Sequence, residues 1–214
     1  MIRKMTIGMA VAVLAVLAMA APAKADPVTL TLSGCDSCFG MTYTLSFDTT
    51  PTSTTATTET FQITLTIDTT GATGLNSGDL LRLVALKLTG GNSITAVSAV
   101  SIPTGWTAGF GGEGGITDGC DDTGTDDRAC SFAASASDGL APDGSTYTWI
   151  LDVTVLTGTL MTDGIPLRVA FTNGTGQRLL SDTFTTEVPE PGTLILFGTG
   201  LLSMAGAIRR RIAG

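Results

Sequence analysis

Histidine is absent from this chain of 214 residues. That removes the commonest general base, the Ser-His and Cys-His nucleophile pairs, and most catalytic zinc sites. An enzyme would be left with a pair of carboxylates flanking a bond, as in glycoside hydrolysis. The available acids, Glu59, Glu113, Asp152 and Asp163, are scattered, and no spacing sets two of them across a cleft. The chain reads as non-enzymatic. Positive charge is also scarce, with 11 Lys and Arg against 19 Asp and Glu and a net charge of −8. Arg3, Lys4, Lys24, Arg209, Arg210 and Arg211 all lie near the two ends, so the stretch between is more acidic still. Such a surface repels nucleic acid and anionic lipid and attracts divalent cations. Nucleic acid is excluded as a partner.

Aromatic residues make up 6% of the chain, and its two tryptophans are Trp106 and Trp149. Trp149 is in phase with an apolar strand face and belongs to the core. Trp106 sits in the Gly-rich "PTGWTAGFGG", where an exposed ring could stack on a sugar through its apolar face. Packing over a sheet end is the commoner fate of such a ring; if it is exposed, Trp106 is the candidate ligand-binding residue.

What is present begins with the two ends. "MIRK" supplies a short basic region, an apolar run follows from Ile7 to Ala21, and "AKA" (Ala23, Lys24, Ala25) offers a small-x-small cleavage site. This is the pattern of a secretory signal peptide, removed after Ala25. At the other end Thr193 to Ile208 is uncharged and just long enough to cross a bilayer core as a helix. Arg209, Arg210 and Arg211 would hold that helix with the preceding chain outside. The organisation expected is a signal peptide over 1–25, an exported domain over 26–187 and a membrane-inserting tail over 188–214.

The tail resembles the PEP-CTERM sorting signal of exported bacterial proteins: Pro189, Glu190 and Pro191 match its signature, Thr193–Ile208 its membrane segment, and Arg209–Arg211 its basic cluster. The resemblance implies recognition by an exosortase after export by the secretion machinery. It also implies transient membrane insertion and removal of the tail near Pro-Glu-Pro. The family's association with envelope and exopolysaccharide production points to a structural or matrix protein at the cell surface, with exopolysaccharide as a partner. The middle of the chain is more loosely similar to exported proteins of this kind through Gly119, Cys120, Cys130 and the "TYTW" of Thr146–Trp149.

Between the ends the sequence alternates with period two. Met41, Tyr43, Leu45 and Phe47 are separated by Thr and Ser, Phe61 to Ile67 alternate with Gln62, Thr64 and Thr66, and Tyr147 to Val155 alternate with Thr148, Ile150, Asp152 and Thr154. Such stretches are strands with one face on a core. Further strands are expected at 28–33, 93–102, 129–136, 165–172 and 178–187. Leu80–Leu88 is ambiguous: its residues favour helix and "NSGD" could cap one, but its setting favours a strand buried on both faces. Many short strands with Gly-rich turns predict an all-β single-domain sandwich, jelly-roll-like. The Thr-rich stretch 49–60 is expected as a hairpin loop or an O-glycosylated patch.

All four cysteines lie in the exported stretch, where an even count reads as two disulfides. Spacing favours Cys35 with Cys38 and Cys120 with Cys130, and the other connectivities stay open. Around Cys120 the segment 111–130 crowds Glu113, Asp118, Asp121, Asp122, Asp126 and Asp127. The ligand types suit Ca²⁺, but the spacing matches no EF-hand or nonapeptide repeat. A solvated acidic loop is the simpler reading. No cofactor is required, Ca²⁺ is the candidate if there is one, and a calcium-dependent carbohydrate-binding module is the alternative function.

Overall fold

The computed structural model describes residues 27–91, 93–111, 128–173 and 176–185. In chain order these form β1 (Val28–Leu32), β2 (Thr42–Phe47), β3 (Ser53–Thr54), β4 (Thr58–Asp68), β5 (Leu80–Lys87), β6 (Ile94–Ser101), β7 (Trp106–Gly111), β8 (Arg128–Ala133), β9 (Thr146–Leu156), β10 (Ile165–Thr172) and β11 (Gln177–Phe184). A short 3-10 turn at Ala136–Asp138 is the sole helical element among the described residues. The fold is all-β, in two antiparallel sheets. The first runs β1-β2-β4-β9-β6 with β3 paired to β4, and the second runs β11-β10-β5-β8-β7.

Alternation decides which face goes inward. On β2, β4 and β9 the odd-numbered Tyr43, Leu45, Phe47, Phe61, Ile63, Leu65, Ile67, Trp149, Leu151, Val153 and Val155 are buried. The registers put like with like: Leu45 faces Leu65, which faces Trp149. The even positions carry hydroxyls outward, and Thr60 meets Thr154 at 3.0 Å. Threonine suits an exposed strand because its branched side chain packs on the pleat while its hydroxyl stays wet. The second sheet contributes Val84, Leu86, Val169, Phe171 and Phe184 to the same core.

Pairing across the middle of the chain is nested: β7 with β8, β6 with β9, and β5 with β10. The outermost strand, β11, turns back on β10 instead of reaching β4. Leu80–Leu88 is a strand, and its dense apolar run has a structural reason. Val84 and Leu86 enter the main core, while Leu83 and Ala85 join Cys130, Ala170 and Phe132 in a small cluster on the sheet's other face. The Thr-rich stretch is a hairpin organised by its own hydroxyls. Thr55 Oγ1 accepts from the Thr58 backbone N–H at 3.0 Å and lies 2.7 Å from the Thr58 hydroxyl.

Candidate functional site

Trp106 is not the exposed ring that its Gly-rich surroundings suggest. It opens β7, is 7% exposed, and packs edge-on against Trp149 with ring centroids 5.1 Å apart. Its Nε1–H donates to the Asp138 carbonyl at 2.9 Å. Gly105, at φ +79°, is what allows this fit, since a Cβ there would run into the Asp138 side chain. A buried ring with its polar atom already bonded offers no face for a sugar, so the ligand-stacking expectation is corrected. Trp149 is fully buried, as expected.

The carboxylates that could have formed a hydrolytic pair are separated by the same alternation. Glu59 lies in register with the buried Val155, while Asp152 lies in register with the outward Gln62. They belong to opposite faces of one sheet. Asp152 accepts from Gln62 Nε2 at 3.3 Å, and Glu59 accepts from the Gly158 N–H at 3.1 Å. Glu113 lies outside the described residues.

Cys35 and Cys38 form a disulfide in the β1–β2 connection, with Cα atoms 5.1 Å apart. The Cys38 N–H donates to the Cys35 carbonyl at 3.1 Å and the Met41 N–H to the Cys38 carbonyl at 3.0 Å, so the loop is a tight turn. Its next residue, Phe39, meets Phe171 of the opposite sheet edge-on at 5.6 Å. Gly40, at φ +72°, lets this turn come against Gly71, where a Cβ would collide with the Gly71 carbonyl. The turn thereby caps one end of the sandwich. Asp182 lies close to both sulfurs, but sulfurs joined to each other are not thiolates and hold no metal. Cys130 is disulfide-bonded as well. Cys120, Glu113, Asp118, Asp121, Asp122, Asp126 and Asp127 lie outside the described residues.

Near that end a charged clamp was not legible in the sequence. Asp79 is 3% exposed; its Oδ2 accepts from the Asn76 N–H at 2.7 Å and faces Arg178 Nε at 3.4 Å. Arg178 also donates to the Gly74 carbonyl at 2.9 Å and to Asn76 Oδ1 at 3.0 Å. The "NSGD" aspartate therefore closes a turn and ties the β4–β5 connection to β11. An unexplained arginine in a chain so poor in basic residues was the available signal.

Two exposed carboxyls are held below their ordinary range by local bonds: Asp68 by the Thr70 hydroxyl and N–H, and Asp143 by the side chain and N–H of Ser145. Burial pushes the Tyr43 hydroxyl well above its ordinary value. These shifts belong to turns and core. They assemble no reacting centre.

The Pro189-Glu190-Pro191 and Arg209-Arg211 elements, which follow β11 in sequence, lie outside the described residues. Neither the curated proteins nor the solved structures hold a match to the chain. The family model of the PEP-CTERM protein-sorting motif matches residues 187–211. The chain carries a PEP-CTERM protein-sorting motif, the mark of an exported protein processed by an exosortase.

Proposed function

We propose that this is a non-enzymatic protein of the cell surface or extracellular matrix, whose sandwich domain is the cargo and whose tail is the address. The observation that carries the reading is the sorting motif over residues 187–211, which follows the last described strand in sequence. Supporting it are a chain without histidine and carboxylates engaged in turn and strand bonds on opposite sheet faces. On this reading residues 1–25 are a signal peptide, and Thr193–Ile208 is a helix that holds the protein in the membrane until the tail is cut. The nested pairing of β5 to β10 is what a jelly-roll wrap would give, with β11 as a departure from it. The test is fractionation of cells with and without the exosortase. The protein should reach the surface or medium in the first and stay with the membrane in the second. The same distribution in both strains would remove the sorting role.

A further inference from the structure

The edges of the two sheets are not alike. β11, at one edge, carries Arg178 and Asp182, and β1, at another, is only five residues long. Apart from the two-residue β3, the remaining edges are β6 and β7, which lie next to each other on one side of the sandwich. From Leu88 to Gly112 the sequence contains no charged residue. The charges nearest in register belong to neighbours: Asp152 opposite Ser98, which bonds away from the edge to Gln62, and Arg128 opposite Gly111 at the far end of β7. Asp138 sits beside Gly105.

β6 is also the least covered of the strands longer than two residues. Ala96, Ser98, Ala99 and Ser101 are exposed, and Val100 is 51% exposed. An edge strand offers unpaired N–H and C=O groups to any other strand, and proteins guard it with charge, proline, shortness or bulges. β6 has neither charge nor proline and runs eight residues. Register shifts between Ile94 and Ala96 and between Ala99 and Ser101 are its guards, and they leave Ala96–Ala99 regular between them.

We propose that the Ala96–Ala99 edge of β6 is a self-association surface. A second copy of this chain adds its own β6 antiparallel to it, so that two copies of the first sheet become one. The occupant follows from charge. This chain is strongly acidic, and among the described residues the β6 side is the neutral one, where two copies can approach without setting carboxylates against each other. A two-fold axis through the pair makes the contact isologous, β6 against β6, which antiparallel pairing satisfies. With bulges at both ends the contact is short, and the dimer is weak and concentration-dependent.

The experiment is sedimentation velocity over a wide concentration series on the protein as its cells process it. The wild type should shift from monomer to dimer as concentration rises. A96E/A99E puts like charges across the two-fold axis from exposed positions and should weaken the dimer by at least ~10-fold. Val100→Glu repeats the test at one half-exposed side chain if the double variant does not fold. Thr31→Glu, exposed on β1, should associate like the wild type. A wild type that stays monomeric throughout overturns the proposal. So does loss of the dimer in Thr31→Glu with retention in A96E/A99E, which would move the contact to the β1 edge.

Discussion

Replacing Arg178 by Met tests whether the clamp on β11 holds the sandwich end together. Met keeps an apolar stem where the arginine stem lay but removes the guanidinium. Asp79, whose side chain is 1% exposed, then keeps only the Asn76 N–H as a partner, and the Gly74 carbonyl and Asn76 Oδ1 each lose a donor. Removing one partner of a fully buried ion pair costs about 3–5 kcal/mol. The Arg178 side chain is 39% exposed, so water screens the pair and can replace part of what is lost; the expected cost drops to about 2 kcal/mol. For a domain of this size that lowers Tm by roughly 4–8 °C. Denaturant unfolding followed by circular dichroism reads it directly. Adding Asp79→Asn closes a double-mutant cycle, and the two changes together should cost less than their sum by about 1 kcal/mol. A cost for Arg178→Met below ~0.5 kcal/mol, the level of an ordinary surface change, would refute the clamp. So would strict additivity.

Trp106→Ala should destabilise by about 3–5 kcal/mol, because it empties a core position and breaks the bond to the Asp138 carbonyl; thermal melts check it, and a change under ~1 kcal/mol would point to a surface ring. Tyr43 ionises in the unfolded chain near its ordinary value of 10.0 but resists ionisation when folded. Its contribution is therefore complete below pH 10 and lost as pH rises above it. Tyr43→Phe should flatten that alkaline decline, and an identical decline in both proteins would contradict the assignment. Asp68 and Asp143 have depressed values in the fold, so their contribution is present above 3.8 and lost as pH falls below it. Replacing both by Asn should leave a shallower acid limb in a stability-versus-pH series, and an unchanged limb would count against the turn bonds.

Strands β2, β4 and β9 were legible because one face is core and the other is solvent, which writes a clean period of two into the sequence. β5 was ambiguous for the opposite reason. Leu83 and Ala85 are buried on the far side of their sheet, so no polar face interrupts the run. β7 was missed because Gly105, Gly109 and Gly111 weaken any strand reading. Yet Gly109 pairs with Cys130 and Gly111 with Arg128 in an unbroken ladder. Of the two readings open for Trp106, the packed ring holds and the exposed one does not. The Cys35–Cys38 bond followed from spacing and compartment, but its seat against Phe171 and Gly71 depends on contacts remote in sequence. The Asp79–Arg178 clamp joins residues far apart in the chain, and pattern alone carries no such information. The sorting motif was fully legible, since it is recognised as sequence and needs no fold around it.

Exosortase processing is read out by the intact mass of the exported protein in strains with and without the enzyme. With the enzyme, the species should begin at Asp26 and end near Pro189-Glu190-Pro191, without the apolar run and Arg209–Arg211. Without it, the C-terminal segment should remain. A protein of the same mass in both strains, still carrying Arg209–Arg211, would rule out removal of the tail by the exosortase.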